Sequence, residues 1–257
     1  MELFDTHTHL DLPEFQSDLK EVLQRAGEKG VEKLICVGTT HDSTRDCIQL
    51  ARQFPQRIYA AAGLHPNYCC ESAPNDFERI AHFAQHREIV AIGETGLDFY
   101  RDYCDPDSQK NMFRRHIKLS LEIGKPLIIH ARKADEQVLQ ILEEEGKSLH
   151  GVRHCFDGSS QIAARYFELG FHIALGGIIT RPGHKKIKAA VAQAPGERLL
   201  LETDCPYLSP HQVKAGRNEP AFIAHVLDAL ADIRQTAPEE MARLTTRNAN
   251  RLFLGET

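Results

Sequence analysis

Leu3-Phe4-Asp5-Thr6-His7-Thr8-His9-Leu10 is the stretch from which the fold is read. Its apolar and β-branched residues mark a strand, and side chains alternate along a strand, so His7 and His9 share one face. Comparable runs recur at 33–38, 58–65, 89–94, 126–131, 151–156, 171–177 and 198–204, which with the first makes eight. Between several of them the apolar residues take helical spacing. Leu19, Val22, Leu23 and Ala26 line one face over 18–29, and Met112, Phe113, Ile117 and Leu121 do so over 107–123. The same holds for Val138, Leu139, Ile141 and Leu142 over 135–145 and for Phe222, Ile223, Val226, Leu227 and Leu230 over 219–232. A further helix is expected over 238–253, opening on Pro-Glu-Glu. Gly30, Gly124, Gly146 and Gly170 stand just before strands, where helices end. Eight strands alternating with helices in 257 residues predict an α/β fold, a (β/α)8 TIM barrel, in one domain over residues 1–257. An open doubly wound sheet has the same alternation, but no Gly-x-Gly-x-x-Gly follows the first strand.

Composition narrows the function classes. With 42% hydrophobic and 26% charged residues the chain is globular. The apolar runs are far shorter than the roughly 20 residues of a membrane helix, and the acidic N-terminus carries no visible signal peptide. A net charge of −5 argues against a protein that coats duplexes. Seven cysteines, at 36, 47, 69, 70, 104, 155 and 205, include no Cys-x-x-Cys pair. Reduced thiols and a cytoplasmic location are expected. Cys155 and Cys205, neighbours of polar candidates, are expected to face the core.

The 14 histidines are the unusual number. In a barrel the C-terminal strand ends build the active site. Those ends carry His7 and His9, then His65, then Glu94 followed by Asp98, then His130, His154, and Glu202-Thr203-Asp204. A lone histidine in an apolar run is usually a satisfied core residue. Five at the strand ends, together with carboxylates, point to metal. Gly93 and Gly96 leave room for something to approach Glu94. Glu202 and Asp204, two positions apart, are expected on one side, Glu202 as ligand or as acceptor behind the ligands. The donor count exceeds one tetrahedral site, and two cations would bind both an attacking water and a substrate oxygen. Mixed nitrogen and oxygen donors suit zinc, manganese or iron better than magnesium.

Taken together, Asp5-Thr-His7-Thr-His9-Leu10-Asp11, Gly63-Leu-His65-Pro66, Gly93-Glu94-Thr-Gly96-Leu97-Asp98-Phe-Tyr100, Ile-His130-Ala-Arg132, His154-Cys-Phe156-Asp-Gly158, Leu-Glu202-Thr-Asp204-Cys-Pro206-Tyr and Arg217-Asn218-Glu219-Pro220 resemble the TatD-related family of metal-dependent deoxyribonucleases. The resemblance implies an amidohydrolase-like TIM barrel holding two divalent cations (Mg, Mn or Zn). It implies that His7, His9, Glu94 and Asp204 hold one, and that Glu94, His130 and His154 hold the other. The implied activity is a 3′–5′ exodeoxyribonuclease that acts on single strands and serves DNA repair or turnover, with no membrane and no obligate protein partner. Lys133 departs from the pattern, in which an acidic residue commonly follows the strand-5 arginine; either an acidic partner behind the ligands is missing there, or the added positive charge favours a phosphate or shifts substrate preference. Asp157 stands where serine is frequent.

Hydrolysis of a phosphodiester would use Asp204 and Glu94 at the reacting water, with His65 donating a hydrogen bond to phosphate. Arg132 and Tyr100 are further substrate-binding candidates, with Phe99 and Tyr103 beside Tyr100 as possible stacking partners for a terminal base. The basic run Thr180-Arg181-Pro182-Gly183-His184-Lys185-Lys186-Ile187-Lys188 follows strand 7, where barrels often bind phosphate. Two rivals stand beside this reading. A metallohydrolase of the same fold would act on an amide, lactone or cyclic amidine; such barrels often carry a modified lysine on strand 4, where this chain has Glu94. A non-catalytic binding protein would have lost ligands, and all six are present.

Overall fold

A computed structural model describes residues 1–146, 148–214 and 216–256. Eight strands form one sheet: β1 (Leu3–Thr8), β2 (Val31–Val37), β3 (Ile58–Ala62), β4 (Ile89–Asp98), β5 (Leu127–Arg132), β6 (Gly151–Arg153), β7 (Phe171–Leu175) and β8 (Leu199–Leu201). Their spatial order is their chain order, β1 through β8. The pairings of β3 with β4, β4 with β5, β5 with β6 and β7 with β8 are parallel. Just past β8, Cys205 bridges Thr8 in parallel, which brings the last strand back to the first. This is the (β/α)8 barrel topology expected from the sequence.

The helices are α1 (Leu19–Glu28), α2 (His41–Gln53), α3 (Asp76–Phe83), α4 (Pro106–Ile123), α5 (Asp135–Glu145), α6 (Ser160–Glu168), α7 (Lys185–Gln193), α8 (Ile223–Arg234) and α9 (Pro238–Leu254). Local chemistry sets their ends. Thr40 caps α2 by accepting the Ser43 N–H, and Asp105 caps α4 by accepting from Asp107 and Ser108. Proline occupies the first turn of α4 and α9, and left-handed glycines, Gly124 and Gly255, close both. Helices α2, α3, α6 and α7 were not expected from apolar spacing. Each is short or carries its apolar residues among many polar ones.

The chain divides into two compact units. Unit 1 comprises Met1–Ile35, Cys155–Ala164 and His172–Thr257; unit 2 comprises Cys36–His154 and Arg165–Phe171. In unit 1 the core includes Leu3, Val22, Leu23, Leu199, Leu200, Val226 and Leu230, all at most 2% exposed. In unit 2, Ala60, Ile92, Leu127, Ile129, Phe113, Ile117, Val138 and Leu142 are fully buried. Gly96, at φ +137, shows what the glycines beside Glu94 are for. A Cβ there would lie 2.0 Å from the His130 carbonyl oxygen, so it is strand β5, and no outside group, that makes the close approach.

Candidate metal centre

Each unit, taken by itself, holds a cluster of imidazole and carboxylate among its described residues. In unit 1, β1 aims His7 and His9 the same way, and their Nε2 atoms lie 3.2 Å apart. Asp204 Oδ1 stands 3.4 Å from His9 Nε2 and 3.8 Å from His7 Nε2. All three residues are at least 92% buried. Asp204 lies past the end of β8, at φ +57, a left-handed conformation that aspartate tolerates better than most residues. The segment is held there by its main chain. Asp204 N–H donates to the His7 carbonyl, and His9 N–H to the Cys205 carbonyl. Asp5, fully buried, accepts the Thr203 N–H at 2.9 Å, the Thr203 hydroxyl at 2.6 Å and the His7 N–H at 3.3 Å. Burial pushes its carboxyl up to about 8 in spite of these bonds.

Because the strand stops at Leu201, the alternation argument for Glu202 and Asp204 does not apply. Glu202 Oε1 turns to accept the Cys155 N–H, while Asp204 joins His7 and His9. Cys155 likewise lies beyond β6, at φ +46 and half-buried, so it is not the core residue expected. Cys205 is fully buried, as expected.

In unit 2 a single carboxylate oxygen is the centre. Glu94 Oε1 lies 2.8 Å from His130 Nδ1, 2.9 Å from His154 Nε2 and 3.5 Å from His65 Nε2. Burial alone would raise the Glu94 carboxyl, but His154, His65 and His130 hold it well below the usual carboxylate range. His65 is lowered to about 3 by burial, against the opposing pull of Glu94. Its Nδ1 accepts the Asn67 N–H at 3.1 Å, which places the ring proton on Nε2. His65 is therefore a neutral hydrogen-bond donor at Nε2. The fully buried His116 supports this turn from below. Its Nε2 accepts the Leu64 N–H at 3.0 Å and its Nδ1 donates to the Met112 carbonyl at 2.8 Å.

An acidic partner for the ligands comes from Asp98, apart from position 133. Its Oδ2 lies 3.2 Å from His130 Nε2, so the ring presents Nδ1 to Glu94. Asp98 Oδ1 accepts the Tyr100 and Arg101 N–H groups at 2.9 and 3.0 Å. Burial would raise this carboxyl too, but His130 and those N–H groups hold it far below its ordinary value. Its even spacing from Glu94 on one strand was the sequence signal. Lys133 points elsewhere, with Nζ 4.9 Å from the Tyr100 ring centre, and Arg132 has its guanidinium carbon 4.0 Å from the same ring. Asp157 is exposed, and nothing in the structure explains its departure from the pattern. Of the basic run after β7, Arg181, Lys185 and Lys186 are exposed in unit 1.

One finding overturns the expectation of reduced thiols. Cys70 and Cys104 form a disulfide in unit 2. They lie in the loops after β3 and β4, which the sheet order makes neighbours, and nothing in the spacing of the seven cysteines pointed to that pairing.

The donor sets fit divalent cations. His7, His9 and Asp204 offer three atoms within 4.8 Å of one another, and Glu94 Oε1, His130 Nδ1 and His154 Nε2 lie 2.8 to 3.3 Å apart. Nitrogen and oxygen donors gathered in buried ground are costly without a cation or protons between them. No described helix is long and apolar enough to cross a membrane.

Comparison with known proteins agrees with this chemistry. A family profile described as TatD related DNase matches residues 4–254. YabD of Bacillus subtilis, an uncharacterized metal-dependent hydrolase, is 40% identical over 252 residues, covering 98% of each chain. The 3′-5′ ssDNA/RNA exonuclease TatD of Salmonella typhimurium is 33% identical over 258 residues, again 98% of each chain. The crystal structure of YJJV, a TatD homologue from Escherichia coli K12, superposes with a TM-score of 0.93 at 32% identity over 98% of each chain.

Proposed function

Since the chain belongs to the TatD-related DNase family, we propose that it hydrolyses phosphodiester bonds of nucleic acid, removing nucleotides from the 3′ end of single strands. In this reading His7, His9 and Asp204 hold one divalent cation, and Glu94, His130 and His154 hold a second. Magnesium, manganese and zinc are the candidates. Divalent cations supply Lewis-acid polarisation of the phosphoryl group and acidify a water. Asp204 accepts the proton of the attacking water. His65, neutral and protonated at Nε2, donates a hydrogen bond to a phosphate oxygen. Arg132 contacts a phosphate, and Tyr100 lies against a base.

The observation that carries the reading is the crowding of three imidazoles about one carboxylate oxygen, Glu94 Oε1, within barrel strand β4. A small-molecule amide or lactone hydrolase would use the same metals. It has less need of an exposed arginine and tyrosine beside them. The deciding experiment strips the protein of metal and adds a single-stranded oligonucleotide labelled at its 5′ end, with Mg, Mn or Zn restored singly. A ladder shortening from the 3′ end, dependent on metal and absent in Glu94→Ala, is the expected result. Intact oligonucleotide with every metal, in protein that still binds two ions, would transfer the assignment to the small-molecule hydrolase.

A further inference from the structure

Strand β6 is three residues long, and its register with β5 ends where Ile129 pairs with Arg153. His130 and His154 each stand one residue past that pair. A further main-chain bond, from the His154 N–H to the Ile129 carbonyl at 3.1 Å, carries the two chains just beyond it. Two neighbouring ligand candidates therefore sit where the regular pairing of their strands gives out. Their rings are nevertheless held close, with His130 Nδ1 3.3 Å from His154 Nε2 and both against Glu94.

The Arg153 side chain spans this gap. It is only 2% exposed, a full charge in a strand that otherwise reads Gly-Val. Its Nη2 donates to the Ala131 carbonyl at 2.6 Å, and its Nη1 donates to the His154 carbonyl. One guanidinium thus ties the residue after His130 on one strand to His154 on the next. Asp135, which opens α5, meets the charge with both oxygens. Arg153 Nε lies 2.9 Å from its Oδ1 and Nη2 3.4 Å from its Oδ2. The fully buried Tyr166 donates its hydroxyl to the same Oδ1 at 3.0 Å. All of these residues belong to unit 2.

Stability alone is a poor account of this pair. Taking a guanidinium and a carboxylate out of water costs much of what their attraction returns, and a well-packed apolar side chain at position 153 would avoid that cost. What an apolar side chain cannot do is donate to two carbonyls on different strands.

We propose that Arg153 is a positioning residue for the unit 2 cluster: its guanidinium, steadied by Asp135 and Tyr166, sets the spacing of His130 and His154 and thereby the affinity and coordination geometry of the cation between them. The inference rests on the reading that Glu94, His130 and His154 hold a divalent cation, and extends it to a residue that meets the ligands only through main chain. Asp98 orients the His130 ring, whereas Arg153 fixes the backbone beside both rings. The rigid fork of arginine is required, since a lysine ammonium keeps the charge but cannot serve both carbonyls and Asp135 in the same plane.

The test titrates the metal-free full chain with cobalt(II), followed by calorimetry and by the visible absorption of the bound ion. Glu94→Ala and Asp204→Ala assign the binding steps to their clusters. In Arg153→Met the step that Glu94→Ala abolishes should weaken roughly 10–100-fold and its cobalt bands should shift, while the other step stays within about twofold. Arg153→Lys should remain weakened about fivefold or more, and Tyr166→Phe, which removes a single bond to Asp135, should weaken the step about twofold. A second readout needs no metal. Amide hydrogen exchange at His154 should quicken about tenfold in Arg153→Met, with the Ile92 amide in β4 unchanged. Cobalt bound normally by both Arg153 variants would overturn the positioning role and leave the cation reading standing. Equal weakening of both steps, or equal quickening of exchange throughout unit 2, would overturn it as well, by making Arg153 a residue of general stability. A wild-type Glu94 cluster that takes up no cobalt, with exchange at His154 still governed by Arg153, would remove the cation reading and keep Arg153 as the residue that places the two histidines.

Discussion

The two metal-ligand clusters are supported in different ways. In unit 1 the buried carboxylate behind the ligands, Asp5, grips main chain and hydroxyl. It accepts from Thr203 and from the His7 N–H, and so fixes where the chain runs. In unit 2 the corresponding carboxylate, Asp98, meets an imidazole directly and sets which nitrogen of His130 faces Glu94. The first arrangement places ligands through the backbone, so its ring orientations follow from strand geometry. The second places a ligand through a side chain, so it depends on the chemistry of one group. The unit 2 cluster should therefore be the more sensitive of the two to substitutions that leave the fold alone.

The largest effects come from the ligands themselves and test whether the clusters are separate cation sites. Glu94→Ala and Asp204→Ala should each lower kcat/KM on a single-stranded oligonucleotide by roughly a thousandfold or more, the loss expected when several kcal/mol of charge stabilisation disappear. Metal content after dialysis sharpens the contrast. Each variant should retain the cation of the other cluster. Full metal content and undiminished hydrolysis in both variants would sink the assignment.

Next in size is the disulfide, which bears on unit 2 alone. The Cys70–Cys104 bond closes a loop with a sequence separation of 34. Cys70→Ser should cost about 2–4 kcal/mol in denaturant unfolding. Hydrogen exchange should show lost protection in the loops about Tyr68 and Tyr100–Tyr103, with β1 unchanged. Equal loss of protection around His7 and His9 would mean that the support of the two clusters is not separable in this way.

Asp98→Asn is the direct trial of side-chain support. It keeps an acceptor for the Tyr100 and Arg101 N–H groups but removes the charge that faces His130. Activity or metal affinity should fall by roughly 10–100-fold, with the weaker of two metal-binding steps moving and the other holding. A variant indistinguishable from the wild type in both would show that His130 is oriented without Asp98.

What the sequence disclosed follows the same division. The eight strands were legible because each is an apolar run between turn signals, and His7 and His9 were legible because alternation alone puts them on one face. All six ligand candidates lie in one or other cluster. The expectation that Glu202 shares a side with Asp204 failed, since both lie beyond the strand and are placed by a turn rather than by alternation. The support was less visible. That His116 holds Leu64 and that Cys70 meets Cys104 are contacts 52 and 34 positions apart, and Gln109 holds the Asp98 carbonyl across the turn from β4 into α4, and no local pattern encodes them. Helices α2, α3, α6 and α7 were not read individually, three of them because they run to only eight or nine residues and so show little more than two turns of pattern.

His116 gives the smallest effect and the finest test, because its signature is a slope against pH. The imidazole is fully buried, and burial lowers it to about 4 from an ordinary value of 6.5. Its two nitrogens are already committed, one accepting from Leu64 and one donating to Met112, so a second proton would displace the bond that supports the turn into His65. Between those two values the unfolded chain binds the proton and the folded one does not. Stability therefore rises with pH across the window, is fully present above about 6.5, and is lost as pH falls toward 4. At about pH 5.5 this one group should already cost on the order of 1 kcal/mol. His116→Gln, which can still accept from Leu64, should be less stable than the wild type at neutral pH, and the gap should narrow as the solution is acidified through that window. Urea titrations at a series of pH values measure it. Parallel curves for the two proteins would show that His116 does not titrate on unfolding, and the acid sensitivity of unit 2 would have to come from the Glu94 cluster instead.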